Sequence, residues 1–133
     1  MSRLGDFDFR KWKKQQQELQ KLKQSFSGFE EKCMKELAAE LRAKAVALTP
    51  ADVGNLRKSW TVGPVRRTGS DVRIEVSNTD PNASNVEYGY HTTNLHEWVP
   101  GKHMLAVSVE QLERELPNML EQKLQKFIDR YWR

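Results

Sequence analysis

The chain has 133 residues and a mass of 15.5 kDa, a length that suits one compact domain burying roughly two-thirds of its unfolded surface. Hydrophobic residues make up 38% and charged residues 30%, mean hydropathy is -0.78, and no run approaches the ~18 apolar residues of a membrane span. The lone Cys33 excludes an intramolecular disulfide framework and a cysteine-based zinc cage, and Met1 to Arg10 lacks the apolar stretch of a secretory signal, so synthesis in the cytoplasm without a membrane partner is expected.

The net charge of +4 is unevenly placed. Met1 to Leu48 carries 11 Lys and Arg against 7 Asp and Glu, whereas the remaining segments balance. Arg10, Lys11, Lys13 and Lys14 form the densest cluster. Such a cluster attracts phosphate by counterion release, and on a helix it also serves as a solvated face, diluted here by Glu18, Glu30, Glu31 and Glu36.

In chain order, Asp8 reads as an N-cap for a helix over Phe9 to Gln24, rich in Lys, Gln, Glu and Leu but sparse in apolar residues (Trp12, Leu19, Leu22). Ser25 to Gly28 reads as a break, with Ser27 and Glu30 at capping-box spacing. Phe29, Cys33, Leu37, Leu41 and Ala45 then recur every four residues, predicting a stronger helix that ends before Pro50. Within that stripe Cys33 behaves as a small buried hydrophobe.

The middle reads as β structure. Trp60 and Val62 alternate around Thr61 before Gly63-Pro64 interrupts, which indicates an edge strand or a bulge. Thr68 to Asp71 is a turn cluster. Val72, Ile74 and Val76 alternate with polar residues as one half-buried strand, Asn78 to Asn85 is a loop, and Val86 and Tyr88 form a third short strand with Glu87 facing solvent. His91 to Glu97 is a polar, aperiodic loop. From Leu105 to Tyr131 a helical period returns, with Pro117 either kinking one helix or opening a second. The fold class expected is α+β: long N- and C-terminal helices packed on a small, mainly antiparallel β-sheet. A basic helical extension over residues 1–28 would precede a single domain over 29–133.

Catalytic constellations are poorly represented. The chain contains no phosphate-binding glycine loop, nucleophile elbow or zincin helix. His91, His96 and His103 are close in sequence, but their irregular spacing favours ordinary imidazoles over a metal site. Glu87 and Glu97 are not placed across a cleft by any pattern. No enzyme, cofactor or metal is expected. A nucleic-acid-binding module using the basic first helix is the alternative, though Arg57, Arg66, Arg67 and Arg73 are scattered and no recognition signature accompanies them.

Three short stretches stand out. Thr49-Pro50-Ala51-Asp52-Val53-Gly54-Asn55-Leu56-Arg57-Lys58-Ser59-Trp60 ends a helix, turns at Asp52 with Gly54 available for a positive φ, and opens a strand. Val86-Glu87-Tyr88-Gly89 follows, and Trp98-Val99-Pro100-Gly101-Lys102-His103-Met104-Leu105 delivers the chain into the last helix. In this order the three motifs, within Phe29 to Gln125, resemble the tail-completion or head–tail joining proteins of long-tailed bacteriophages and prophages. Ala51-Asp52-Val53-Gly54 departs from the Val-Asp-Thr-Gly usual in that family, and the Arg10 to Lys23 segment lies outside the shared pattern.

The resemblance implies a structural virion subunit that completes the tail and joins it to the head, as a ring or on a ring. Its partners would be tail-tube, terminator, connector or head-completion proteins and further copies of itself. On the matching positions, Pro50, Asp52, Gly54, Leu56, Arg57, Ser59, Trp60, Glu87, Gly89, Gly101 and Met104 would maintain the fold. Trp98, Val99, His96 and Tyr88 would face a neighbouring subunit. Arg10, Lys11, Lys13 and Lys14, which the resemblance does not reach, would by their charge line the DNA passage or dock on an acidic neck component.

Overall fold

Good helix formers fill the first third of the chain, and in the computed structural model, which describes residues 9–52, 55–94 and 97–132, they form one uninterrupted 40-residue helix, α1 (Phe9–Leu48). The break expected at Ser25 to Gly28 does not occur, and Asp8 lies outside the described residues. A glycine inside a helix costs about 1 kcal/mol relative to alanine, but contacts made across this stretch outweigh it. Phe26 and Phe29 pack at 5.8 Å, and both meet Phe127 of the last helix, at 6.0 and 4.9 Å. Glu30 does not cap: its Oε1 accepts from Arg67 Nη2 at 3.2 Å, and the same guanidinium reaches the Ser27 carbonyl and Glu31 Oε1, each at 3.3 Å. The segment is held helical from outside.

The last helix, α3 (Met104–Tyr131), runs unbroken through Pro117. It lies antiparallel to α1. Lys44 Nζ donates to Glu115 Oε1 at 3.1 Å, Lys123 donates to Glu36 further along, and Phe127 closes the far end on Phe29. Cys33 is buried in the seam, and that burial pushes its thiol pKa up, as suits an inert hydrophobe rather than a reactive thiolate.

Between the helices lie β1 (Trp60–Val62), β2 (Arg66–Thr68), β3 (Asp71–Arg73), β4 (Val76–Asn78), β5 (Gly89–His91) and β6 (Trp98–Pro100). They pair as three antiparallel two-stranded ladders, β1–β4, β2–β3 and β5–β6. The single strand expected from Val72 to Val76 is therefore divided. The registers explain why: Val62 faces Val76 and Arg66 faces Arg73, so Gly63, Pro64 and Val65 oppose only Ile74 and Glu75. This is a bulge, set by a proline that cannot donate to the ladder. It twists the β2–β3 tip back onto α1, where Arg67 docks.

The third strand expected at Val86 and Tyr88 is instead a short helix, α2 (Ala83–Tyr88). Asn78 Oδ1 accepts from Asp80 N at 2.9 Å and Asp80 Oδ1 from Asn82 N at 2.8 Å, so successive side-chain turns wind the chain into it. Ala83, Val86 and Glu87 then share the inward face at i, i+3 and i+4. The main core, formed by Ala45, Leu56, Trp60 and Met104 with Val46, Val76, Ala83, Val86 and Leu105 around it, sits where α1 ends and α3 begins.

The Glu36–Lys123 pair gives the helix pairing a pH dependence. Its hydrogen bond from Lys123 holds the Glu36 carboxyl below its ordinary value of 4.5. A depressed folded-state pKa adds stability that is present above that ordinary value and is lost as pH falls through the lower folded-state value. Thermal unfolding of Glu36→Gln should therefore lag the parent at neutral pH, and the gap should close on acidification below the ordinary carboxylate range.

Candidate functional site

The three singled-out stretches meet at the core end of the molecule. Thr49, buried after the last turn of α1, donates through Oγ1 to Ala45 O at 2.6 Å and accepts from Trp60 Nε1 at 2.8 Å. Arg57, in a single 3₁₀ turn (Arg57–Ser59), donates from Nε to Thr49 O at 2.8 Å, and Arg42 Nε reaches Trp60 O at 2.9 Å. Ser59 Oγ closes its own turn on Asn55 O at 2.9 Å, and Asn78 Nδ2 satisfies Leu56 O at the same distance. Pro50 is half-buried where α1 stops, and Asp52 is exposed in the turn that follows. Gly54 and His96 lie outside the described residues.

Glu87 corrects the expectation of a solvent-facing side chain. It is 8% exposed, and its carboxylate accepts from Leu105 N at 2.9 Å and Ala106 N at 3.1 Å. These are the second and third residues of α3, the N–H groups an N-cap side chain normally satisfies. The residue at the cap position, His103, is left-handed at φ 49° and makes no side-chain cap. Glu87 thus caps α3 from another element, its charge also matching the positive end of the helix dipole.

Two glycines make the approach feasible. The backbone N–H groups of Lys102 and His103 donate to Val86 O at 2.7 Å and Glu87 O at 3.1 Å. A Cβ on Gly101 would fall 2.7 Å from the Tyr88 carbonyl carbon. Gly89 has φ +91°, and a Cβ there would meet Val99 O at 2.7 Å and the Trp98 ring. The motif Val86-Glu87-Tyr88-Gly89 and the motif Trp98-Val99-Pro100-Gly101 are therefore the two halves of one clasp, closed by the β5–β6 register of Gly89 with Pro100, Tyr90 with Val99 and His91 with Trp98.

What the clasp leaves outside is aromatic. Tyr88 is 70% exposed, Trp98 54% and Tyr90 41%. Trp98 is steadied by an edge-on contact with His91 at 5.0 Å, while Val99 is half-buried on the other face. Among the described residues no group of three His, Cys, Asp or Glu is placed to hold a metal ion. His91 sits against Trp98, His103 at the entry to α3, Glu87 in its cap and Glu97 at the exposed foot of β6. Arg10, Lys11, Lys13 and Lys14 are exposed on the first turns of α1, far along the helix from the clasp. Residues missed by sequence reasoning are those whose role is a long-range hydrogen bond, Arg42, Arg67 and Asn78, and the exposed Tyr90, paired with Val99 on the face of the ladder opposite Trp98.

Two substitutions measure the junction. Thr49→Val keeps shape but leaves Trp60 Nε1 buried without its acceptor, and should lower unfolding free energy by about 1–3 kcal/mol in denaturant titrations. Glu87→Ala should cost about 2–3 kcal/mol, as removal of charge-assisted hydrogen bonds does, with Glu87→Gln intermediate because one acceptor oxygen remains.

Comparison with known proteins identifies the family. The family model HK97-gp10_like, described as "Bacteriophage HK97-gp10, putative tail-component", matches residues 13–89. The match takes in most of α1, including basic turns that sequence reasoning set outside the shared pattern, and runs through the first motif to Gly89. No curated protein and no solved structure matches the chain, and no helix among the described residues is long and apolar enough to cross a membrane. The chain belongs to the HK97-gp10-like family of phage tail components.

Proposed function

We propose that this tail component completes the phage tail and joins it to the head, acting by contact surface rather than by catalysis, as a ring of copies or on a ring formed by other neck proteins. The carrying observation is the exposed aromatic trio around the clasp: Tyr88 at the end of α2, and Trp98 and Tyr90 on opposite faces of the β5–β6 hairpin, face solvent where the backbone is held by Gly89, Gly101 and the Glu87 cap. Large aromatic side chains on a rigid frame lose little conformational freedom on docking and are favoured contact residues. In this reading the trio meets the adjacent subunit or the tail tube.

Among the described residues the β5–β6 ladder has two strands, so each has an outer edge that no further strand covers. A neighbouring copy that adds a strand or packs on Trp98 would cover them, and ring closure would leave none open.

The test uses two variants, because Trp98 also covers Gly89. Tyr88→Ser and Trp98→Ala should each retain a cooperative thermal transition while lowering the yield of joined particles at least tenfold, with separate heads and tails in negative-stain images. Unaltered joining and unaltered oligomer size in both variants would overturn the reading.

A further inference from the structure

The apolar stripe of α1 outlasts its partner helix. Pairing of Lys44 with Glu115, Glu36 with Lys123 and Phe29 with Phe127 brings the end of α3, at Tyr131, opposite the turn of α1 near Ser25. The preceding turns, from Phe9 to Gln24, extend beyond α3 by about 24 Å at 1.5 Å per residue. Yet Trp12, Leu19, Leu22 and Phe26 continue, at heptad-type spacing, the seam that Phe29 and Cys33 begin. Trp12 is 44% exposed, Leu19 57% and Phe26 42%.

Two concavities follow this seam. At the fork where α3 ends, a groove of about 580 Å³ has Phe29, Cys33, Phe127 and Tyr131 as its apolar floor. A shallower depression lined by Leu22, Lys23 and Phe26 continues along α1. The rim of the groove is cationic. Lys32, Lys126 and Arg130 stand on it, and Glu36, the acid among its lining residues, is already engaged by Lys123. Among residues 9–24, Lys11, Lys13, Lys14, Lys21 and Lys23 share the free turns with one acid, Glu18.

We propose that this seam and groove are the docking site for an amphipathic helix of a partner protein, apolar on one face and flanked by Asp and Glu. The occupant must be apolar to cover Trp12, Leu19 and the aromatic floor, which a phosphate backbone would leave wet. It must be acidic to match Lys23, Lys32, Lys126 and Arg130, which a second copy of this Lys-rich segment would meet with like charge. A helix laid against a helix at heptad spacing satisfies both demands. The site lies at the opposite end of the α1–α3 pair from Tyr88, Tyr90 and Trp98, and it does not rest on the joining role.

The probe is a synthetic helical peptide of about three heptads with Leu at the a and d positions and Glu at e and g, paired with a control carrying Lys at e and g. Binding to the full chain is read by fluorescence anisotropy. The Glu peptide should bind in the micromolar range and weaken roughly tenfold when salt is raised well above physiological strength. Leu19→Glu should abolish binding while the thermal transition of the core is retained. Lys32→Glu combined with Lys126→Glu should reverse the preference in favour of the Lys peptide. Equal binding of both peptides, binding of neither, or displacement of the Glu peptide by mixed-sequence duplex DNA at lower concentration would overturn the proposal. So would self-association by sedimentation that Leu19→Glu abolishes, since a second copy would then be the occupant; self-association that survives Leu19→Glu but not Trp98→Ala would leave this site intact and speak only to the ring.

Discussion

Helix α3 begins without a cap of its own, and the rest of the fold is arranged around that deficit. His103 enters in a left-handed conformation and offers no side-chain acceptor, while the residues just beyond it, Met104 and Ser108, are fully buried. N–H groups at such a part-buried terminus are poorly served by water and gain from protein acceptors. Glu87 supplies both oxygens from 18 and 19 residues away in sequence. For its short side chain to reach, the backbones of Glu87 and Gly101 must nearly touch, which demands a glycine at 101. The chain must then reverse at once into β5, which demands the φ +91° of Gly89. One electrostatic requirement thus fixes the identity of three residues and the course of the β5–β6 hairpin.

A second polar junction does similar work a few ångströms from the same core. Thr49 is satisfied on both sides, as donor to Ala45 and acceptor from Trp60, and among the described residues no buried side-chain nitrogen or oxygen is without a partner. The apolar cluster there is small, centred on Ala45, Leu56, Trp60 and Met104. In a chain with only 38% hydrophobic residues, specificity at this end comes from directional bonds as much as from apolar area. The α1–α3 pair away from the core has the opposite character. Leu120, Leu124 and Ile128 remain more than a third exposed, and its ties are exposed ion pairs of the kind worth about 0–1 kcal/mol each. Local opening should therefore be easiest at the Phe26–Phe127 end and hardest at the clasp.

Periodicity carried the helices. The four-residue recurrence from Phe29 to Ala45 and the run from Leu105 to Tyr131 are long enough for a 3.6 period to be distinguished from a period of two, and both helices are present with Cys33, Ala38 and Ala45 inside. The bulge at Gly63-Pro64 was legible because proline has a local consequence for the ladder. Where the reading failed, the deciding contact was remote. Ser27 and Glu30 match a capping box in isolation, and it is the arrival of Arg67 from β2 and Phe127 from α3 that makes helix the better state there. Val86, Glu87 and Tyr88 are too few to tell alternation from a helical turn, and the turns that start α2 depend on Asn78 and Asp80, residues that also suit a plain loop. The motif residues were recognisable as a set, yet their pairwise roles were not. No spacing rule announces a glutamate that caps a helix from a different element.

The division between buried fastening and exposed aromatic surface bears on how a tail component can act. An interface residue contributes most when its frame is ordered before binding, because the entropy of ordering is then not charged against association. Tyr88 ends α2 and Trp98 opens β6, the two backbone segments that Glu87, Gly89 and Gly101 hold together, so the frame that presents them is tied to the most buried part of the molecule. The basic turns of α1 are the reverse case: a helix sparse in apolar residues, marginal by itself, which the proposed docking on Trp12, Leu19 and Leu22 would stabilise. A rigid contact at one end and a partner-completed one at the other end of a 40-residue helix would allow the two proposed associations to differ in kind. In the proposed readings the clasp is the contact ordered in advance, and the extended helix is the one that docking completes.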